Sequence, residues 1–219
     1  MTPPAPHLAH PLAAAPPAPA AAVELFGERL PVLEHFAALL AGPGVERGLL
    51  GPREVERLWD RHLLNCAAVT ELVGSGQTVI DLGSGAGLPG LVLAAQRPDL
   101  TVVLVEPMQR RVDFLLEAVE ALGLESVRVL RGRAESLTTA VSADVVVARA
   151  VAPLAKLIGW GLPLLEPAGR LLAMKGERAA AEVAAAAEAL RAARALAEVV
   201  PIGSAERGTS ACVVVVRRR

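Results

Sequence analysis

The 219 residues are 53% hydrophobic, enough for one sizeable domain with at most a small extension. A net charge of −1 excludes a global basic field for nucleic acid, so any RNA contact must come from a local patch. With no Tyr, three Phe and two Trp, few rings are left to stack on single-stranded bases. Cys66 and Cys212 form no CxxC pair and have no nearby His at ligand spacing, so they read as reduced thiols and no metal site is expected. No stretch reaches the ~20 apolar residues of a membrane span, and no basic-then-apolar leader opens the chain. The expectation is a soluble cytoplasmic protein, monomeric and without membrane contact.

Residues 1 to 21 are mostly Ala and Pro, which cannot continue a helix or donate to a sheet ladder, and read as a disordered or polyproline-like tail. From Val23 to Leu40, Leu25, Phe26, Leu30, Leu33, Phe36, Ala37 and Leu40 recur at a helical period, which Gly42-Pro43-Gly44 ends. A second helical stretch runs from about Pro52 to Val73, with Leu58, Trp59, His62, Leu63 and Cys66 on one side. Strands then alternate with helices. Strands are expected at Thr78–Leu82, Thr101–Glu106, Val127–Arg131, Asp144–Ala148, Arg170–Lys175 and Ala211–Val216. Helices are expected over Pro89–Gln96, Arg110–Leu122, Pro153–Leu162 and the Ala-rich run Glu177–Leu196. Continuous apolar strands separated by helices indicate a doubly wound α/β fold with a parallel sheet covered on both faces. The expected organisation is a tail over 1–21, a helical segment over 22–76 packed on the main domain, and a cofactor-binding domain over 77–219.

The first strand ends in Asp81 and enters Gly83-x-Gly85-x-Gly87-Leu88-Pro89-Gly90. Glycines here let the backbone approach a ligand, at the carboxyl edge where open α/β sheets bind them. Glu106 closes the second strand, where an acid accepts hydrogen bonds from both ribose hydroxyls of a nucleoside. The spacing is GxGxG, not the GxGxxG of dinucleotide sites, and Asp81 stands beside it. An acid suits the cationic sulfonium of S-adenosylmethionine and would repel a pyrophosphate. The residues thus favour S-adenosylmethionine over NAD. The plain alternatives are a turn-stabilising Asp81 and a solvated Glu106.

Six stretches go further: Arg61-His62-Leu63-Leu64, DLGSGAGLPG at 81–90, RRVDFL at 110–115, GRAES at 132–136, ARAVAPL at 148–154 and GRLLAMKG at 169–176. Together they resemble the bacterial 16S ribosomal RNA guanine-N7 methyltransferases, the glucose-inhibited division protein B family. The resemblance implies a Rossmann-like class I methyltransferase domain preceded by N-terminal helices. It implies S-adenosylmethionine as cofactor and 16S rRNA, or the small ribosomal subunit, as partner. Cofactor contacts are implied at Gly83, Leu88, Ala134, Glu135 and Arg149, beside Asp81, Gly85 and Glu106 of the turn reading. Two positions depart from the family pattern: Gly48-Leu49-Leu50-Gly51-Pro52 replaces its usual Asn-Leu-Thr segment, and Asn65 replaces its usual Asp.

Guanine N7 carries an exposed lone pair, so transfer to it needs alignment and no general base. The lack of a His–Asp or Cys–His pattern fits that chemistry. Lys175 and Arg133 are candidates to grip the target nucleotide, against a reading as solvated charges. Arg61 and His62 either touch RNA or pack helices. Arg217-Arg218-Arg219 either attract phosphate or fray into solvent. A small-molecule methyltransferase is the alternative function, since fold alone does not select the substrate.

Overall fold

The computed structural model describes residues 14–137, 141–204 and 211–219. The expected tail over 1–13 lies outside the described residues. The strands are β1 (Thr78–Leu82), β2 (Thr101–Glu106), β3 (Val127–Arg131), β4 (Ala143–Arg149), β5 (Leu165–Met174), β6 (Ala195–Ile202) and β7 (Ala211–Arg218). They form one sheet of order β3-β2-β1-β4-β5-β7-β6. β1 to β5 run parallel, and β7 runs antiparallel to both of its neighbours.

The strands are apolar because both faces are covered. Val79, Val102, Leu104, Val145 and Val147 point into one core. Ile80, Leu82, Val103, Val105, Val146 and Ala148 point into the other. The first core is closed by α4 (Gly90–Gln96), α5 (Gln109–Leu122) and the N-terminal helices. The second is closed by α6 (Leu154–Gly161), α7 (Ala179–Ala185) and α8 (Ala187–Ala192).

The N-terminal helices are α1 (Ala20–Phe26) and α2 (Leu30–Leu39), followed by a wide π turn over Leu40–Gly44. Gly42-Pro43-Gly44 is thus folded into that turn, where the sequence predicts a break. A mixed helical stretch follows: a 3-10 segment (Pro52–Arg57), a π-helical segment (Leu58–Leu64), α3 (Asn65–Ala67) and a second 3-10 segment (Ala68–Leu72). Phe36, Leu40, Leu58, Leu63 and Cys66 lie in the same core as the sheet residues above, so these helices share the sheet's hydrophobic interior. Polar ties add direction: Arg29 Nε donates to Ala95 O (2.7 Å), and Arg47 pairs with Glu117 (2.6 Å).

Three expectations are corrected. The run expected as one helix to Leu196 breaks after α8, and Ala195–Ile202 forms the edge strand β6. Alanine favours helix, which hid the strand; pairing along the whole of β7 decides it, and Pro201 is tolerated because β6 is an edge. β5 begins at Leu165, five residues before the expected start at Arg170, because Ala143 pairs with Leu165 across a register shift. Residues 14 to 21 are no loose tail. Trp59 Nε1 donates to Pro16 O (2.8 Å), Ala15 and Ala18 pack on the core, and α1 begins at Ala20. The indole N–H, inside a buried side chain, needs an acceptor, and the proline carbonyl supplies one. Among the described residues no helix is long and apolar enough to cross a membrane.

Trp59→Phe keeps the ring in place and removes that donor. It should lower unfolding free energy by about 0.5–1.5 kcal/mol in urea titrations; an unchanged midpoint would mean that the segment through Pro16 contributes nothing through this bond.

Candidate functional site

The carboxyl ends of β1, β2 and β4 open onto one crevice. Gly83 N and Ser84 N both donate to Val105 O (2.8 and 3.1 Å), which bends the chain over the end of β2. Gly83 has φ +69°, and a Cβ there would stand 2.6 Å from Val151 Cγ2, so only glycine passes. At Gly90 the constraint is proximity: a Cβ would lie 2.3 Å from Leu104 Cδ2 and 2.7 Å from Asp81 Oδ2. The helix α4 can therefore start directly against β1 and β2.

Asp81 is fully buried beneath this turn. Its Oδ2 accepts Gly90 N–H (2.9 Å), while Oδ1 has no hydrogen-bond partner among the described residues. Burial, opposed by the Gly90 N–H, pushes its pKa up to about 7. Asp81 does not line the crevice; it holds the turn from behind. The sequence reading set this carboxylate beside the ligand, but close packing of Gly90 on Asp81 and Leu104 encloses it.

Glu106 does line the crevice, with its side chain only 1% exposed. Oε2 accepts Gly85 N–H (3.1 Å), Oε1 accepts Met108 N–H (3.0 Å), and Arg111 Nη1 approaches Oε2 at 3.5 Å. Arg111 Nε is buried with no partner among the described residues.

The crevice has two lobes that share Gly83, Pro107 and Val151. The smaller, about 240 Å³, is walled by Leu82, Val105, Ala134, Glu135 and Trp160, with exposed Arg133 at its lip. The larger, about 520 Å³, holds Gly85, Leu88, Glu106, Arg111 and Arg149, with Leu50 and His62 reaching in from the N-terminal helices.

Arg149 ends β4, where Ala150 takes a left-handed φ of +54° and turns Val151 over Gly83. Its guanidinium is anchored on the N-terminal helices. Nη1 donates to Cys66 Sγ (3.0 Å); Nη2 donates to Arg61 O (3.2 Å) and meets His62 Nδ1 at 2.6 Å. Burial, then the Arg149 charge, lowers the His62 pKa. The imidazole is therefore neutral, with Nδ1 accepting from Arg149 and Nε2–H donating to Glu54 Oε2 (2.8 Å). Three of the five guanidinium N–H groups are thus used, and Nε–H and one Nη1–H remain for the lobe. His62 and Arg61 meet Arg149 here, which ties the N-terminal helices to the end of β4.

Lys175 is a correction. Its side chain is 7% exposed, donates to Ala152 O (2.6 Å) and pairs with Glu182 (2.9 Å). Glu182 in turn accepts Leu154 N–H (2.9 Å) at the start of α6. Lys175 braces the loop after β4 and lines neither lobe. The crevice brings together Gly83, Gly85, Leu88, Glu106, Arg133, Ala134, Glu135 and Arg149, and leaves out Asp81 and Lys175. Sequence reasoning missed Arg111, Val151 and Trp160; the RRVDFL motif was the available signal for Arg111. Among the described residues no group of three or more His, Cys, Asp or Glu is placed to hold a metal ion.

This sheet order with its reversed seventh strand is the class I methyltransferase fold. Solved structures agree: the chain is similar to a SAM-dependent methyltransferase from Aquifex aeolicus (TM-score 0.56, 20% identity, 80% of this chain and 96% of that one). It is similar also to a precorrin-6y C5,15-methyltransferase from Geobacter metallireducens (TM-score 0.54, 12% identity, 78% and 91%). The sequence model of GidB, rRNA small subunit methyltransferase G, matches residues 29–210, and the chain belongs to that family. Relatives carrying the name ribosomal RNA small subunit methyltransferase G include one from Thermobifida fusca, 59% identical over 90% of this chain and 83% of the relative. Another, from Kineococcus radiotolerans, is 54% identical over 90% and 79%.

A carboxyl with a folded pKa of about 7 and an unfolded one of about 3.9 takes up a proton on folding between those values. Its contribution to stability therefore falls as pH rises from about 4 to about 7. Asp81→Asn keeps an acceptor for Gly90 N–H and loses this dependence. The variant should gain urea midpoint relative to wild type across that range; a constant difference would show that Asp81 titrates normally.

Proposed function

We propose that this chain transfers a methyl group from S-adenosylmethionine to N7 of a guanine in small-subunit ribosomal RNA, as a cytoplasmic monomer. One observation carries the cofactor reading. The glycine turn, the buried Glu106 carboxylate and the Arg149 guanidinium converge on one crevice at the carboxyl ends of three adjacent parallel strands. The substrate reading rests on membership of the family.

The residues fit the cofactor. The apolar lobe of Leu82, Val105, Ala134 and Trp160 suits a flat base, with the backbone beside Ala134 and Glu135 available to its edge. Glu106, with each oxygen already accepting one backbone N–H, keeps lone pairs for two ribose hydroxyls. A Cβ at Gly85 would meet nothing nearer than 3.8 Å, so the turn is open on the side of the larger lobe. The spare N–H groups of Arg149 suit the carboxylate of the amino acid moiety or an RNA phosphate. S-adenosylmethionine supplies an electrophilic methyl carbon on a cationic sulfonium.

The protein's task is then orientation. Guanine N7 is already an acceptor and needs no deprotonation. Alignment contributes at most about 7–11 kcal/mol to such a transfer. Glu54 and His62 preset Arg149, Lys175 and Glu182 brace the loop that carries Val151, and Arg133 stands exposed at the lip, where incoming RNA would meet it.

Two measurements test the reading. Mapping N7-methylguanine in small-subunit rRNA, with and without the gene, should show one position lost on deletion; an unchanged map would sink the substrate assignment. In calorimetry with S-adenosylmethionine, Glu106→Ala should weaken binding at least tenfold and Gly83→Val should abolish it. Wild-type affinity in both variants would place the cofactor elsewhere.

A further inference from the structure

The terminal arginines sit far from the crevice and are not frayed. β7 runs antiparallel to β5, so its last residues lie at the amino ends of the parallel strands: Arg217 pairs with Arg170, and Arg218 with Ala195. Through Arg170, Arg217 lies level with Val145, four intervals along β4 from Arg149, about 13 Å at ~3.3 Å per residue, and Arg219 lies two residues further on. Arg219 N–H donates to Arg194 O (2.8 Å), and the Arg218 guanidinium donates to Leu162 O and Leu165 O. The tail is therefore built into the turn between α8 and β6.

That turn is strained. Arg194 has φ +50°, a conformation in which glycine would cost nothing, yet an arginine occupies it. One α-helical turn earlier, Arg191 is also exposed. Arg191, Arg194, Arg217 and Arg219 are all exposed, and among the described residues none forms an ion pair. Arg170, opposite Arg217, is half-buried and committed to Leu72 O (2.6 Å) and Gln77 Oε1 (3.2 Å). Burial first, then the Arg217 charge, lowers the pKa of Arg170, so like charges are held close together here. Of the acids at this end, Asp144 accepts Thr78 N–H and Glu166 accepts Ser142 Oγ–H, while Glu188, one helical turn before Arg191, and Glu198, diagonal to Arg217 across the β6–β7 pair, form no ion pair with these arginines among the described residues.

A chain of net charge −1 thus concentrates four free guanidinium groups at one end of its sheet. We propose that Arg191, Arg194, Arg217 and Arg219 form a second RNA-backbone surface. It engages phosphates of the rRNA at the end of the sheet away from the crevice and orients the substrate on the crevice. Guanidinium groups fit this partner because they pair bidentately with phosphate oxygens and read no sequence. The inference rests on the rRNA reading above, and a distant second contact is available only on a large substrate.

The test is the double variant Arg217→Glu with Arg219→Glu, beside the milder Arg217→Gln with Arg219→Gln. Both changes are on exposed side chains, so S-adenosylmethionine affinity and thermal midpoint should stay at wild-type values. Affinity for naked small-subunit rRNA, followed against KCl, should lose ~1.4 to 1.8 from the slope of log K on log salt in the Gln variant. The Glu variant should lose more, and KM for rRNA should rise severalfold at unchanged kcat. Unchanged slope and KM in both variants, with an active wild type, would overturn the surface alone. Weakened binding to assembled subunits with unchanged binding to naked rRNA would mean that the patch meets a protein, and would also overturn it. A wild type that neither binds nor methylates rRNA would overturn the substrate reading and this surface together.

Discussion

The guanidinium of Arg149 joins the two halves of the molecule. It projects from the end of β4, inside the carboxyl edge of the sheet, and spends three N–H groups on Arg61 O, His62 Nδ1 and Cys66 Sγ. A half-buried cation needs such partners, because desolvation without them would cost several kcal/mol. The N-terminal helices meet that need, and in doing so they become a wall of the crevice through Leu50 and His62. The π-helical segment Leu58–Leu64 that carries Arg61 and His62 has the widened geometry that recurs at functional sites. Glu54 completes the chain by accepting from His62 and pairing with Arg61.

The same economy governs the two buried acids. Asp81 and Glu106 each sit at a strand end with almost no exposure, and each accepts backbone N–H groups of the glycine turn or of the start of the next helix. Their difference is one of access. Asp81 is sealed under Gly90 and has its pKa raised, whereas Glu106 faces the lobe. One carboxylate therefore shapes the turn and the other remains available to a ligand. Lys175 makes a parallel case: an ammonium at a strand end is drawn inward by Glu182 and the Ala152 carbonyl, and its effect on the crevice runs through the loop after β4.

Much of this was legible before any coordinates. β1, β2, β4, the second half of β5 and β7 stood out as apolar runs because both faces of these strands are buried, β3 stood out by its place between helices, and the glycine turn identified the carboxyl edge. β6 was hidden, since it follows directly on an alanine-rich helical run and, as a largely exposed edge strand containing a proline, shows no alternation strong enough to mark its start. The placement of residues 14–18 was equally hidden: a proline-rich segment has no periodicity, and the buried indole of Trp59 gives it a place. For the site, Gly83, Gly85, Leu88, Glu106, Arg133, Ala134, Glu135 and Arg149 do meet in the crevice. Asp81 and Lys175 lie off the crevice, which the sequence did not show for one reason: position along a strand does not reveal whether a charged side chain finds an interior partner.

By itself the sequence determined the fold class, the place of the binding edge and the family, because those depend on local signals: strand hydrophobicity, glycine spacing and contiguous motifs. Tertiary structure alone decided which charges face the crevice, and that Glu54 and His62, distant in sequence from Arg149, orient it. It also carried the terminal arginines to the opposite end of the sheet. Each of these follows from packing between segments far apart in the chain, where burial forces polar groups to find partners that no local pattern specifies.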